Sequence, residues 1–411
     1  MRILVTLICL FSPGSLLLAR QVLEVCSTCT VRTLCEAVEM VQPGGEIRLH
    51  EGHYREGQIV INKPLTIIGV NSPVLDGERQ VEVLTITSDS VTIEGLTIIN
   101  SGQSYIKEMA GIRVSHCKYF TLKNNRIENT MFAIYLAYAT NGIISGNQLK
   151  SVALDEASSG NGVHAWYCKN ILIENNKVQG HRDGIYFEFV DSSLIEKNES
   201  FGNLRYGLHF MFSNHDRYTD NIFRNNGSGV AVMFSKFIDM HANRFEHNWG
   251  AASYGLLLKE IYDAEIFNNI FFENSTGITL EGSTRINYYN NNFESNGWAV
   301  VMSGGCLENK FYDNNFLYNT MDLVVNSQVN DNTFDGNYWS EYSGYDLDRD
   351  GVGDVPFRPV KLFGFILSRS PEAVVLLRSL FIDLLNLSER VSPVFTPAQV
   401  IDHQPKMMPV S

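Results

Sequence analysis

The chain has 411 residues, of which 44% are hydrophobic and 19% charged, so it can bury a sizeable core and is not an intrinsically disordered protein. Its 32 basic and 45 acidic side chains give a formal charge of −13, and it therefore lacks the basic excess that replaces counterions on a phosphate backbone. We expect no nucleic-acid partner.

The N-terminus has the pattern of a secretory signal. Met1 and Arg2 precede an apolar run over residues 3–11, and residues 16–18 are leucines before the small residue Ala19. This predicts a signal peptide over 1–19, and a mature chain exported to the periplasm. The alternative is a buried N-terminal helix, because the run is too short to span a bilayer. No later segment reaches the ~20 apolar residues of a membrane span.

Three cysteines follow the predicted signal, Cys26, Cys29 and Cys35, with the spacing C-x2-C-x5-C. In an oxidising compartment this cluster favours a disulfide near the N-terminus with one spare thiol. A thiolate pair that binds copper or zinc is the alternative.

Residues 20–110 are predicted to form an N-terminal cap and the first coils of a solenoid. A short amphipathic helix containing Ala37 and Val38 precedes Pro43, and strands are expected at 46–50, 58–61, 65–68 and 91–98. A solenoid needs such a cap because its first coil would otherwise present an open sheet edge.

An internal repeat runs through residues 111–340. An Asn recurs with spacings of 22, 29, 22, 23, 22, 26, 22, 23 and 18. Its positions are Asn125, Asn147, Asn176, Asn198, Asn221, Asn243, Asn269, Asn291, Asn314 and Asn332. A tetrapeptide with alternating apolar residues recurs in phase, for example GIYF from Gly184, GLHF from Gly207 and GVAV from Gly229. One coil of about 22 residues per repeat follows.

These coils predict an all-β protein, a right-handed parallel β-helix. Each coil is too short for a helix and strand pair, and its strands alternate with period two. Asn suits the corners because it tolerates the left-handed conformation and can bond to the Asn of the next coil. The longer spacings of 29 and 26 predict loops that leave the solenoid at 151–160 and near 248–253.

Alternation within each tetrapeptide sends its third residue, and the residue after the fourth, to the outer face. His209, Met211 and Met233 should therefore be neighbours on an exposed surface. Two thioethers beside an imidazole are what Cu(I) prefers, so we predict a copper site there. Auxiliary ligands are expected from a further set: Glu188, His164 and His215. The alternative is that the methionines pack under a covering loop.

An acidic loop occupies residues 341–360. Asp346, Asp348, Asp350 and Asp354 surround a glycine turn and resemble the first half of a calcium loop. The position where such loops place a bidentate Glu is Phe357. We predict a structural Ca²⁺ site, with a solvated acidic turn as the alternative.

Residues 361–411 are predicted to hold a C-terminal helix and tail. The helix is expected over 371–387, with Ser370 as its N-cap. Its apolar stripe consists of Val374, Leu377, Phe381 and Leu384, with Leu385 beside them. Such a stripe needs a partner to dock on.

Five stretches of the sequence match a known family: GHRDGIYFEFV (180–190), RYGLHFMFSNHDRYTDN (205–221), GVAVMFSK (229–236), NYWSEYSGYDLDRDGVGDVPFRP (337–359) and the tail segment 369–393. In these stretches the chain resembles the NosD family, periplasmic β-helix proteins that assist maturation of the copper centres of nitrous oxide reductase. The resemblance implies a non-enzymatic component of an ABC-type complex, with a membrane permease and a cytoplasmic ATPase. It further implies copper accepted from a lipoprotein chaperone and delivered to apo nitrous oxide reductase.

Two other functions share this fold: a secreted polysaccharide lyase or hydrolase, and a carbohydrate-binding β-helix. Hydrolysis needs paired carboxylates, yet the outward Glu188 and Glu281 lie four coils apart, about 19 Å at the stacking distance. A lyase base could come only from the compact group His181, Arg182 and Asp183, where Asp183 also suits a structural hydrogen bond at a corner.

Overall fold

The computed structural model describes residues 20–104, 106–326, 331–377, 379–391 and 400–410; the predicted signal peptide 1–19 lies outside them. The described residues form a parallel β-helix with three long sheets of 14, 12 and 13 strands, here called the first, second and third sheets. The strands of each sheet pair in parallel with those one coil before and after. The predicted fold class is confirmed.

Short strands separated by tight corners make up each coil. The first sheet contains Val22–Val25, Glu46–Leu49, Thr66–Gly69, Thr92–Glu94, Thr121–Lys123, Thr140–Ser145, Lys169–Glu174, Leu194–Glu196, Arg217–Thr219, Asp239–His241, Tyr262–Phe267, Thr284–Tyr289, Leu307–Tyr312 and Asp331–Phe334. The second contains Ile59–Ile61, Leu84–Ile86, Ala110–Ser115, Phe132–Ala137, Val163–Trp166, Asp183–Glu188, Tyr206–Met211, Ser228–Met233, Leu256–Lys259, Thr276–Glu281, Trp298–Met302 and Met321–Val325. The third contains His53–Tyr54, Val74–Asp76, Thr97–Ile99, Arg126–Glu128, Gln148–Lys150, Lys177–Gln179, Glu199–Phe201, Ile222–Arg224, Arg244–Glu246, Ile270–Phe272, Asn292–Glu294, Asn315–Leu317 and Tyr338–Trp339.

Buried asparagines join the coils at the corner between the first and third sheets. The Oδ1 of each accepts the backbone N–H of the Asn one coil earlier, as from Asn221 to Asn243 at 3.0 Å. This ladder runs from Asn125 to Asn337, because Asn314 donates to Asn337 and not to Asn332. The prediction that Asn332 is the last member of the ladder is therefore wrong. The Oδ1 of Asn332 accepts the Asn309 N–H in another row.

The Asn ladder satisfies polar backbone groups that the corners bury. Without it, each buried N–H would lack an acceptor, at a cost of about 1–3 kcal/mol. A second such row, which the repeat search missed, consists of Asn203, Asn226, Asn248, Asn274, Asn296 and Asn319. Both ladders fix the register between coils.

Stacked aromatic rings fill the interior of the later coils. Phe245, Phe271, Phe293 and Phe316 stack in sequence with ring centroids 4.6 to 4.9 Å apart, and Trp339 closes the stack at 4.1 Å from Phe316. All five side chains are buried. Each inward face is covered only by adjacent coils, which makes the core continuous along the axis.

The N-terminal cap is built around the helix Leu34–Met40. Its N-cap Thr33 accepts the Glu36 N–H at 3.3 Å, and the helix buries Leu34 together with Ala37 and Val38, the two residues that the sequence placed in it. The predicted strand 91–98 is two strands, since Gly95 turns the chain at φ 73°. Cys26 and Cys29 form a disulfide and Cys35 is free, which is the first of the two cysteine alternatives.

The C-terminal segment differs from the predicted single helix over 371–387. An α-helix spans Leu362–Arg369, a 3₁₀ helix Pro371–Leu376 and a second α-helix Leu380–Val391. Ser370 makes no side-chain capping bond. The segment packs on the last strand of the second sheet through a separate apolar cluster: Met321, Phe363, Leu367 and Ile382. Side chains of both α-helices therefore hold the segment on the end of the solenoid.

The tail returns to close the end of the solenoid. Asp402 is fully buried and its carboxylate accepts N–H groups of Gly336 and Asn337, both at 3.0 Å, and the Trp339 Nε1–H at 2.8 Å. The Asn ladder thus ends on a carboxylate. No helix among the described ranges is long and apolar enough to cross a bilayer.

Candidate functional site

Two rows of side chains on the outer face of the second sheet hold the predicted copper ligands. The methionine row, in strand register, contains Trp166, Glu188, Met211, Met233, Lys259 and Glu281. The histidine row, two residues earlier on the same strands, contains Tyr135, His164, Tyr186, His209 and Ala231. The sequence placed every one of these residues correctly in its row.

Met211 and Met233 are register partners on adjacent strands, so their backbones lie about 4.8 Å apart. Both side chains are partly exposed. The Tyr186 hydroxyl donates to the Met211 Sδ at 3.7 Å, and Glu188 is the register partner of Met211 on the other side. Burial, followed by the charges of Glu188 and Asp183, raises the pKa of Tyr186, which therefore remains a neutral donor.

His209 is buried, with 5% of its surface exposed, so the prediction that it lies exposed on this face is wrong. Its ring lies 5.0 Å from that of Tyr186 and 4.8 Å from that of Tyr206. Neither ring nitrogen has a hydrogen-bond partner among the described residues, and Nδ1 is 3.7 Å from an Asp183 oxygen. The imidazole is therefore held in place by ring packing beside the methionine row.

Asp183 and Arg205 form the polar support beneath His209. Arg205 donates to both oxygens of the fully buried Asp183 at 2.9 and 2.6 Å. Burial alone would raise the pKa of Asp183, but the hydrogen bonds and charge of Arg205 outweigh it and keep the pKa below its usual value. Asp183 is thus an ionised structural carboxylate, committed to a salt bridge.

The two other predicted histidines do not meet the methionines. His164 is stacked between Tyr135 and Tyr186 at 4.5 and 4.8 Å, and burial, followed by the charge of Arg182, lowers its pKa to about 3. His215 lies beyond the next corner, exposed, with its Nδ1 2.9 Å from Asp191. His164 is a neutral packing residue and His215 belongs to a surface ion pair.

An aromatic corner ladder, which the sequence reasoning did not recognise as a unit, borders the methionine row. Its members each follow a residue of that row or of its N-terminal continuation: His116, Tyr138, Tyr167, Phe189, Phe212 and Phe234. Neighbouring rings stack with centroids 4.6 to 5.4 Å apart. The recurrence of an aromatic residue directly after the outward lane was a signal in the sequence.

The acidic loop brings three of its four predicted carboxylates together. One ligand oxygen from each of Asp346, Asp348 and Asp350 lies within 4.8 Å of the others. Asp354 instead accepts the Leu347 N–H at 2.7 Å. The charge of Asp350 raises the pKa of Asp348, as expected for carboxylates that crowd one another.

The C-terminal helices expose part of the predicted docking stripe. Val374, Phe381 and Leu384 are exposed, whereas Leu377 packs against the cluster that holds the helices to the solenoid. Leu380 and Leu387 extend the exposed apolar surface. The helices that carry this surface pack on the strand Met321–Val325. That strand belongs to the same sheet as the methionine row and lies four strands beyond Ser228–Met233.

Comparison with known proteins identifies the family. The family model described as "Periplasmic copper-binding protein (NosD)" matches residues 150–344, which contain the whole methionine row and the histidine row from His164 onward. A "Probable ABC transporter binding protein NosD" of Pseudomonas aeruginosa is 30% identical over 421 aligned positions, covering 88% of each chain. The chain belongs to the NosD family. A second NosD with the same description, from Stutzerimonas stutzeri, is 28% identical over 89% of this chain and 88% of its own.

Solved structures similar to this NosD-family chain share the fold alone. The exopolygalacturonase of Yersinia enterocolitica superposes with a TM-score of 0.60 at 10% identity, over 76% of this chain and 78% of its own. A lacto-N-biosidase of Eubacterium ramulus gives 0.54 at 14% identity, over 78% and 67%. Activity cannot be carried over at such identities.

Proposed function

We propose that this protein binds copper transiently in the periplasm and works with an ABC-type transporter to assemble the copper centres of nitrous oxide reductase. The observation that carries the proposal is the pair Met211 and Met233, side by side and partly exposed on the outer face of the second sheet. Thioethers are soft ligands that select Cu(I) over the harder divalent ions.

The ligand set we propose is Met211, Met233 and the imidazole of His209. His209 fits because both of its ring nitrogens lack partners, and Asp183 lies beside Nδ1, which leaves Nε2 for the metal. Glu188, beside Met211, supplies an auxiliary oxygen or a negative charge that offsets the cation. Few and soft ligands suit a cargo ion that must later be released.

The proposed partners act at two places. A copper chaperone lipoprotein would donate copper to the methionine row, and apo nitrous oxide reductase would accept it there. The permease and ATPase complex would dock on the exposed apolar residues Val374, Phe381 and Leu384, a role supported by the relatives' description as ABC transporter binding proteins. An unpaired apolar surface of this kind is typical of a protein interaction site.

We further propose that Asp346, Asp348 and Asp350 hold a structural Ca²⁺. Oxygen ligands at alternate positions before Gly351, which has φ 87°, fit a hard divalent ion. Backbone or water oxygens would complete the coordination shell. Asp354 accepts the Leu347 N–H, and Phe357, at the position of the usual bidentate Glu, packs near Trp339.

Among the described residues, the two carboxylates of the methionine row are too far apart to form a catalytic pair. Glu188 and Glu281 are separated by four strand steps, about 19 Å, well beyond the distances at which two carboxylates cleave a glycosidic bond. Glu281 is also paired with Lys259 at 3.3 Å, and Asp183 with Arg205. We therefore propose a binding protein and not a glycosidase or lyase.

An anaerobic Cu(I) competition titration tests the site. The variant Met211→Leu/Met233→Leu keeps side-chain volume but removes both thioethers. Its matched control, Met40→Leu/Met408→Leu, removes two exposed methionines elsewhere. We expect the wild type and the control to bind Cu(I) stoichiometrically. The affinity of Met211→Leu/Met233→Leu for Cu(I) should be at least tenfold lower. Unchanged binding in that variant would refute the proposed ligands.

A further inference from the structure

The two methionines of the proposed copper site have different polar neighbours, although they occupy equivalent places in successive coils. Tyr186 lies one coil before Met211 and two residues earlier along its strand, and its hydroxyl donates to the Met211 Sδ at 3.7 Å. His209 has the same relation to Met233, but neither of its ring nitrogens has a hydrogen-bond partner among the described residues. The Met211 sulfur therefore accepts a hydrogen bond that His209 does not offer to Met233.

The ring of Tyr186 is held between two neighbours in the histidine row. On one side it stacks on His164, with centroids 4.8 Å apart and an interplanar angle of 28°. On the other side it meets the His209 ring at an angle of 74° and a centroid distance of 5.0 Å. Close packing on both sides limits rotation of the ring, so the hydroxyl stays directed at the sulfur.

The Tyr186 hydroxyl has a second acceptor within reach. Burial, then the negative charges of Glu188 and Asp183 and a hydrogen bond with Glu188, raise the pKa of Tyr186. Glu188 is also the register partner of Met211. A hydroxyl carries one hydrogen, which it can donate to the sulfur or to the carboxylate. Loss of the bond to Met211 therefore does not leave this donor unsatisfied.

We propose that Tyr186 is a positioning residue that makes Met211 the weaker and more readily released of the two thioether ligands. This inference rests on the proposed copper function and adds to it an order of ligand release. A thioether binds a soft cation through a lone pair of its sulfur, and a hydrogen bond from a hydroxyl draws on the same electron density. Copper must displace the hydroxyl, which then turns to Glu188, or bind a sulfur of reduced donor strength.

The charges beside Met233 do not reverse this difference. Lys259 is the register partner of Met233 on the side away from Met211, where an isolated ammonium would repel copper. Its Nζ lies 3.3 Å from a Glu281 oxygen, so a carboxylate offsets that charge. Met233 thus keeps an unmodified sulfur beside the imidazole of His209, and copper released by Met211 would stay on these two ligands until a partner takes it.

The test removes the hydroxyl alone with Tyr186→Phe, which keeps the ring and its packing. The matched control is Tyr135→Phe, because Tyr135 lies two coils earlier in the same row and stacks on the other side of His164. Both variants are also made in a Met211→Leu background, which completes a double-mutant cycle. Circular dichroism checks folding, an anaerobic competition titration measures the Cu(I) affinity, and stopped-flow transfer to a chelator measures the rate of Cu(I) release.

A second measurement detects the hydrogen bond to sulfur without copper. In protein labelled with ¹³C at the methionine methyl groups, the Met211 resonance is assigned by its loss in Met211→Leu. We expect this resonance to shift in Tyr186→Phe and to stay in place in Tyr135→Phe. An unshifted Met211 methyl in Tyr186→Phe would overturn the proposal whatever the copper affinity.

We expect Tyr186→Phe to bind Cu(I) about threefold to tenfold more tightly than the wild type, the range that one modest hydrogen bond allows, and to release it more slowly. The gain should vanish in the Met211→Leu background, and Tyr135→Phe should bind as the wild type does. Equal or weaker binding by Tyr186→Phe, or a gain that persists without Met211, would overturn the role of Tyr186 and leave the copper function intact. If the wild type does not bind Cu(I), the proposed function fails, and this inference with it.

Discussion

Asp402 closes the Asn ladder, and replacing it by Ala gives a prediction whose size follows from the geometry. The substitution leaves the Asn337 N–H and the Trp339 Nε1–H without acceptors in a fully buried setting, and the Gly336 N–H without one in a half-buried setting. The Gln404 N–H also loses its acceptor, but Gln404 is exposed and water can replace it. Each unsatisfied buried donor costs about 1–3 kcal/mol. Allowing for water that reaches Gly336, we expect Asp402→Ala to lower the free energy of unfolding by about 3–6 kcal/mol.

Urea unfolding followed by far-UV circular dichroism measures this loss, and amide hydrogen exchange locates it. Exchange should accelerate first at Asn337 and then at Asn314, the next rung. The control Asp335→Ala removes one acceptor, of the exposed His403 N–H, and should cost less than about 1 kcal/mol. A loss in Asp402→Ala as small as that of the control would refute the view that the ladder needs a terminal acceptor.

Three further outcomes are expected. Asp183→Asn should lower the free energy of unfolding at pH 7 by about 2–4 kcal/mol, because it leaves Arg205 without its buried partner; a loss below about 0.5 kcal/mol in urea unfolding would contradict this. Burial raises the pKa of Asp216 well above its usual value, so the folded state binds that proton more tightly than the unfolded state and loses stability as pH rises above about 4. Asp216→Asn should therefore be more stable than the wild type by about 1–3 kcal/mol at pH 7 and equally stable near pH 3; parallel pH profiles would contradict it. Terbium bound at the acidic loop should luminesce by energy transfer from the exposed Tyr345, and Ca²⁺ should displace it with a Kd for Ca²⁺ of about 10⁻⁴ to 10⁻³ M. Asp348→Asn should abolish this luminescence; an equal signal in both proteins would argue for a solvated turn.

The repeat made the fold and the rows predictable, because a coil period of 22 or 23 residues with period-two strands permits little else. The same physics explains the error at the end of the ladder. A step of 18 residues, from Asn314 to Asn332, falls short of one coil, whereas Asn337 completes a step of 23 and accepts the Asn314 N–H.

Burial of His209 could not be predicted from alternation. Alternation states which way a side chain points and says nothing of what lies over it. Here Asp183 and Tyr206 are the first residues of their strands, and Arg205 lies at the corner just before Tyr206. The loop at 151–160 adds Glu156, which lies 3.9 Å from Arg205. The C-terminal segment shows the same limit: a helix does begin at Pro371, but it is a short 3₁₀ helix, and the buried side chains that dock on Met321 belong to the α-helices before and after it.

The coil geometry sets the separation between the methionine pair and the exposed apolar helices as a whole number of steps. Four strand steps separate Ser228–Met233 from Met321–Val325, about 19 Å along the axis. Gain or loss of one coil between them would change this distance by about 4.8 Å and leave both ends unaltered, since every rung of the Asn ladder is equivalent. The distance between the two sites therefore changes only in steps of one coil. A change in the number of coils alone would let relatives fit partners whose contact sites are spaced differently.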